Sequence, residues 1–196
     1  DTQFEHPTTY EHIENMRHVY QVNIDVVHTE GLLPLVDRKG KFPSVLTRFC
    51  TDTLKIRPTH QYLKNLALTQ EHGFEVWYGM RSAESVARKL RYEGVVSGET
   101  YLPSEFFDAP KYLDKLGVVY RLPIVDWGTE EVFEYIGDFK NPLYEHGFNR
   151  VGCFPCLLNT EKGYNKHFNY DKFGEEQRIA LDNMSAKIGK TYISGK

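Results

Sequence analysis

Phe74-Glu75-Val76-Trp77-Tyr78-Gly79-Met80-Arg81-Ser82-Ala83-Glu84-Ser85 is an apolar run that stops at a glycine and turns into a helical pattern. The run predicts a strand over 74–79, and the pattern after it predicts a helix over 82–91 with Ser82 as its N-cap. A strand that passes directly into a helix is the repeating unit of layered α/β folds. In those folds ligands bind beyond the carboxyl ends of the strands. Gly79 permits close backbone approach, the helix start offers free N–H groups, and Arg81 adds charge. Together they make a candidate anion site for phosphate or sulfate. Glu84 and Ser85 read equally well as first-turn helix stabilisers. The Arg88–Arg91 cluster reads equally well as a solvated helix face.

Working outward, the period alternates between strand and helix. Pro7 followed by Tyr10, Ile13, Met16 and Tyr20 predicts a helix, and residues 22–27 a short strand. Pro58-Thr59 opens another helix, which runs to His72-Gly73. Residues 118–125 predict a strand, 129–136 a helix capped by Thr129, and 175–188 a last helix. Residues 29–47, rich in Gly, Pro and charge, read as a long mobile loop. The predicted fold class is α/β, a parallel sheet with helices on both faces.

The chain's three cysteines stand in two places, Cys50 and the Gly152-Cys153-Phe154-Pro155-Cys156 stretch. A two-residue gap lets Cys153 and Cys156 grip one metal ion or one iron–sulfur cluster. It equally suits a redox dithiol or two buried small hydrophobes. Cys50 lies among Arg48, Lys55 and Arg57, and nearby cations favour the thiolate. An odd cysteine count in 196 residues argues against a disulfide framework and for a reducing, cytoplasmic setting. There is no apolar run of membrane-spanning length. The net charge of −3 excludes a broad basic coat for nucleic acid but leaves room for a local basic groove.

Five stretches in order resemble the phosphoadenylyl-sulfate (PAPS) reductase family of the PP-loop, adenine-nucleotide α-hydrolase-like superfamily. Asp1-Thr2-Gln3-Phe4-Glu5-His6-Pro7-Thr8-Thr9 resembles the family's Asp-Thr-Gly-x-x-Phe-Pro-Glu-Thr. Arg48-Phe49-Cys50-Thr51-Asp52-Thr53-Leu54-Lys55 opens a block resembling Arg-[Trp/Phe]-Cys-Thr-x-x-Leu-Lys. Gly79-Met80-Arg81-Ser82-Ala83-Glu84-Ser85-Val86-Ala87-Arg88 resembles Gly-x-Arg-x-x-Glu-Ser-x-x-Arg. Pro123-Ile124-Val125-Asp126-Trp127 resembles Pro-[Ile/Leu]-x-Asp-Trp. Asn141-Pro142-Leu143-Tyr144 with Gly152-Cys153-Phe154-Pro155-Cys156 resembles the family's last signature. The resemblance implies a nucleotide-binding domain over 1–140, incomplete at its N-terminus, and a cysteine-containing segment over 141–196 packed on it. It also implies N-terminal strands and a Ser-Gly-Gly-x-Asp-Ser PP-loop upstream, roughly forty residues or more, beyond the minimum for one strand–helix–strand unit.

The resemblance implies ATP or a sulfonucleotide as substrate. It places Lys55 and Arg81 on transferred charge, and Asp1, Gly79, Arg81, Glu84, Ser85 and Arg88 around the nucleotide. It implies that Cys50, Cys153 and Cys156 hold a cluster of the 4Fe-4S type, with zinc and a fourth ligand such as His146 or His167 as the alternative. There is no cysteine after Cys156, where the family's reductases carry an attacking thiol, and Cys50 stands alone where cluster-bearing reductases carry a pair. That pattern is closer to ATP pyrophosphatases of sulfur transfer, including the activating component of DNA phosphorothioation systems and related phage proteins. A sulfonucleotide reductase drawing its thiol from elsewhere, and a non-catalytic zinc module, are the other readings. The implied partners are a cysteine desulfurase or other sulfur donor, thioredoxin, and DNA only through another protein.

Overall fold

The computed structural model describes residues 1–70, 72–106 and 109–193. It divides into two compact units, Asp1–Thr59 with Asn141–Lys196, and His60–Lys140.

The first unit is helical. α1 (Pro7–Tyr20) starts with Pro7 in its first turn, where a missing N–H costs nothing, and His6 caps it by accepting from the Thr8 amide. α2 (Leu32–Lys39) lies inside the stretch that the sequence marks as a mobile loop. Leu32, Leu35 and Val36 are buried there, and burying side chains of this size contributes roughly 1.5–3 kcal/mol each. α3 (Phe49–Thr51) runs into a π-helical stretch, Asp52–Ile56, and on into α4 (Arg57–Thr69), whose residues from His60 onward belong to the second unit. α7 (Glu161–Phe168) and α8 (Lys172–Ile188) are capped by Thr160 and Asp171. The core joins Phe4, Leu35, Leu54, Tyr164 and Leu181, while Leu143, Phe148 and Phe154 form a smaller cluster.

The second unit carries the sheet. β1 (Glu75–Trp77) pairs parallel with β3 (Val119–Arg121), and β2 (Thr100–Tyr101) pairs antiparallel on the other side of β3. The order is β1-β3-β2. α5 (Val86–Arg91) and α6 (Thr129–Ile136) complete the unit. Leu113 and Val118 are fully buried against Leu63, Ala67 and Tyr120. Gly73 meets Gly117 so closely that a Cβ on Gly73 would lie 2.0 Å from the Gly117 carbonyl oxygen.

The α/β class is observed, but as a small mixed sheet with flanking helices, smaller than the parallel sheet expected. Residues 22–27 form no strand among the described residues; Asp1 N–H donates to Val27 O and Arg17 to Ile24 O. The strand expected over 118–125 stops at Arg121, because residues 123–126 turn, with Val125 N–H donating back to Leu122 O. Two caps also move. Ser85, not Ser82, caps α5 by accepting from Arg88 N–H, since residues 82–84 are taken up by a 3-10 turn. Gly128, not Thr129, stands at the N-cap of α6, with the Glu131 carboxylate accepting its amide at 2.6 Å.

Candidate functional site

All three cysteines line one cavity of about 550 Å³ in the first unit. The local fold that brings them there starts at the N-terminal stretch. Phe4 O accepts from Phe154 N–H at 2.7 Å, and Glu5 bridges Cys153 in antiparallel fashion. Thr2 Oγ1 lies 3.5 Å from Cys153 Sγ and donates to Glu5 Oε1 at 2.6 Å. Residues 2–6 therefore hold one side of the Cys153–Cys156 loop. Cys50 comes from α3, and the π-helical turn after it carries Lys55, which lines the cavity as well.

Glu5 is the hub of this wall. Burial alone would raise its carboxyl, yet it is held below the ordinary value. It accepts from the Thr2 hydroxyl, the Phe4 amide and the Tyr10 hydroxyl, and it feels Lys55. The Tyr10 hydroxyl is pushed up to about 12, by burial first and then by the Glu5 charge. That hydroxyl sits 2.8 Å from Asp1 Oδ1 and 3.1 Å from Glu5 Oε2, sharing its proton between them. Asp1 also accepts from the Gln3 amide at 2.7 Å and lies 3.4 Å from His28. It lines a smaller cavity of about 260 Å³ together with Glu5 and Lys55, so Lys55 stands on both cavities.

The thiols depart from the sequence expectation. Burial pushes the Cys50 thiol up despite the Thr51 hydrogen bonds and Lys55. It pushes Cys153 up as well, against Lys55 and Thr2. Desolvation outweighs the neighbouring cations, and both residues are held as thiols. The donor set is soft and shares one cavity, which suits iron or zinc chemistry. Its placement does not: among the described residues no three His, Cys, Asp or Glu side chains are arranged to hold a metal ion. Of the two histidines considered as a fourth ligand, His167 lines the cavity, and the His146 ring packs on Tyr170. His167 Nδ1 lies 2.7 Å from Gly163 O, and burial lowers its pKa.

Sequence reasoning missed most of the cavity's charge. Arg48, Lys55, Arg150, Lys162 and Lys166 all line it, and none of the lining residues is Asp or Glu. Lys166 Nζ donates to Gly147 O and stands 4.7 Å over the Phe148 ring, which ties the loop carrying Arg150 to α7. The available signal was the four-residue spacing of Lys162 and Lys166 on a helix just after the CxxC motif.

The remaining candidates lie in the second unit, engaged in local structure. Arg81 reaches Trp127 O and Thr129 Oγ1, both at 3.4 Å, and its amide donates to Glu84. Glu84 pairs with Arg88, and Ser85 caps α5. A Cβ on Gly79 would meet only the Ile124 side chain, at an ordinary 3.8 Å, so packing does not demand glycine there.

Residues 1–159 match the model of the phosphoadenosine phosphosulfate reductase domain. An uncharacterized 37.8 kDa protein of Escherichia phage 186 is 37% identical over 61% of the chain and 32% of its own length. The adenosine 5'-phosphosulfate reductase of Neisseria meningitidis is 29% identical over 83% of the chain and 62% of its length. A phosphoadenosine 5'-phosphosulfate reductase of Yersinia enterocolitica is 26% identical over 83% of the chain and 60% of its length. The chain thus spans between about a third and three fifths of these relatives. Among the described residues no helix is long and apolar enough to cross a membrane.

Proposed function

The chain belongs to the phosphoadenosine phosphosulfate reductase domain family, and we propose that it binds an adenine nucleotide bearing sulfate or phosphate groups and serves sulfur transfer from it. One observation carries the reading: three thiols and five cations line one cavity that no carboxylate enters. Such a cavity attracts anions, and in a partly desolvated site fixed cations stabilise charge that develops on a departing phosphate. The relatives' names, adenosine 5'-phosphosulfate and phosphoadenosine 5'-phosphosulfate reductase, favour a sulfonucleotide. Lys55 and Arg48 would neutralise the phosphate side while thiols supply the reductant. In balanced form, adenylyl sulfate and two thiols give AMP, sulfite, a disulfide and two protons. In this reading a dithiol partner such as thioredoxin supplies both thiols. No step runs through a metal cluster.

A second reading rests on Cys50 standing alone between Phe49 and Thr51. In it ATP is cleaved to pyrophosphate to activate an acceptor for sulfur, as in phosphorothioation systems, with sulfide delivered by a cysteine desulfurase. Incubation with adenylyl sulfate plus reduced thioredoxin, and separately with ATP, decides between them. Sulfite release supports the first reading, pyrophosphate release the second, and neither product with either nucleotide refutes both.

A further inference from the structure

Residues 44–47 form a closed turn that presents two aliphatic side chains on the first unit. The Ser44 amide donates to Thr47 O at 3.3 Å, the Thr47 amide donates to Ser44 O at 3.1 Å, and the two hydroxyls lie 2.9 Å apart. Phe42 and Pro43, just before the turn, are buried, and the Phe42 ring packs on Tyr192. The neck is fixed to the core while the tip stands clear of it: Val45 is 65% exposed and Leu46 94%. Exposed aliphatic residues scattered singly are ordinary, but two adjacent ones on an anchored turn present apolar surface that the fold leaves unused. Lys39, Lys41 and Arg48 flank the turn in sequence. All three are exposed and form no ion pair with any described carboxylate, whereas Arg38 pairs with Glu30 and Asp37 with Lys187.

The same unit carries a surface of the complementary kind. A groove of about 730 Å³ lies along the start of α1 and residues 24–27, with Ile13, Ile24, Val26 and Val27 supplying its apolar lining. Five carboxylates line it, Glu11 and Asp25 among them, and no Lys, Arg or His side chain does. Arg17 pairs with one of the five, Glu14, from outside the lining. An apolar tip flanked by cations thus matches an apolar groove lined by carboxylates, in shape of surface and in sign of charge. We propose that the chain self-associates by seating Val45 and Leu46 of one copy in this groove of the next, with Lys39 and Lys41 facing the groove carboxylates. Every copy presents both halves, so the contact can repeat from copy to copy. Arg48 follows the turn directly and lines the cysteine cavity, so a seated tip also holds the segment that enters that cavity.

Sedimentation velocity of the full chain over a range of concentrations tests this, with reductant present so that the cysteines cannot cross-link it. The mean mass is expected to rise above that of the monomer as concentration increases. Raising the salt from about 0.05 M to about 0.5 M should weaken association several-fold, because the charged part of the contact is screened. Leu46→Asp removes the apolar tip, and Val26→Arg fills the groove with a cation that repels Lys39 and Lys41. Each should weaken association about tenfold or more, the scale of one buried aliphatic side chain. Both positions are exposed, and an unchanged thermal midpoint excludes misfolding as the cause. Mixing the two variants is decisive. Leu46→Asp keeps the groove and Val26→Arg keeps the tip, so together they should form a one-to-one complex that neither forms alone. A chain that is monomeric at every concentration overturns the proposal. So does association that survives either substitution, or a mixture that stays monomeric. A monomer that binds anionic vesicles through Leu46 also overturns it, in favour of a lipid surface.

Discussion

Replacing Asp171 isolates the contact that joins the N-termini of two helices beside the cysteine loop. Asp171 Oδ1 accepts from the Gly174 amide at 2.9 Å, capping α8, and Oδ2 accepts from His6 Nε2 at 2.8 Å. The direction of the second bond follows from the first turn of α1. His6 Nδ1 accepts from the Thr8 amide at 3.1 Å, so the ring proton that faces Asp171 sits on Nε2. His6 is only 5% exposed and is enclosed by Phe154, Tyr170 and Phe173, and its one polar outlet is toward Asp171, whose side chain is 38% exposed. Asp171→Ala therefore loses a cap, about 1 kcal/mol, and strands a buried donor, about 1–3 kcal/mol, for a total near 2–4 kcal/mol. Asp171→Asn can still cap with its oxygen, but its NH₂ then faces the ring N–H. The imidazole cannot switch tautomer without losing Thr8, and the cost falls to about 1–2 kcal/mol.

Urea unfolding of the chain at pH 7, with hydrogen exchange at the Gly174 amide, reads both parts. The expected order is wild type, then Asn, then Ala, with Gly174 protection kept in Asn and lost in Ala. Wild-type stability in Asp171→Asn would refute the tautomer argument; equal losses in Asn and Ala would refute the separate cap. Acid probes the same contact. Burial would raise the Asp171 carboxyl, but the Gly174 amide and His6 hold it below its ordinary 3.8. A depressed carboxyl stabilises above its unfolded value and loses that contribution as pH falls through the folded one. The gap between wild type and Asp171→Asn should therefore close below about pH 4.

Other consequences can be checked in the same preparations. Gly174→Ala should destabilise the chain by about 1–3 kcal/mol, although alanine favours helices by about 1 kcal/mol, because the new Cβ would lie 2.0 Å from the His167 carbonyl oxygen. Urea midpoints test this, and a stabilised variant would contradict the close approach. Lys55→Ala removes the cation that lowers both Cys50 and Cys153, so both thiols should become harder to ionise. Their alkylation at pH 8, followed by mass spectrometry, should slow severalfold, since even a threefold loss of thiolate needs only about 0.7 kcal/mol. Unchanged or faster modification would mean that Lys55 does not act on the sulfurs.

What the sequence made legible was local chemistry in short patterns. Pro7 and its apolar spacing placed α1, the glycine-terminated run placed β1, and CxxC with Cys50 marked residues that the fold brings to one cavity. Illegible were properties created by burial and by chain segments far apart. Arg48 and Lys55 beside Cys50 suggested an easily ionised thiol, yet desolvation, which no spacing reveals, decides its state. α2 was hidden because Gly31, Pro34 and Gly40 look like loop residues; its existence depends on Leu32, Leu35 and Val36 finding a core. Residues 22–27 have strand composition, but composition cannot supply a neighbouring strand to pair with.

The cavity's character emerged only in three dimensions for a related reason. Glu5 falls on an unspecified position of the family pattern and His6 stands where the pattern has Phe, so the pattern assigned them nothing. Yet Glu5 organises Thr2, Tyr10 and the Cys153 backbone, and His6 ties α1 to α8 behind Phe154. These contacts restrain the loop on which Cys153 and Cys156 sit, whereas Arg150 and Lys162 reach the cavity without a described carboxylate partner. Fixed thiols beside uncompensated cations are suited to positioning an anionic group. The fixed part is written in residues as far apart in the chain as Thr2 and Cys153. The charged part is written in residues that look ordinary until the loop and α7 come together.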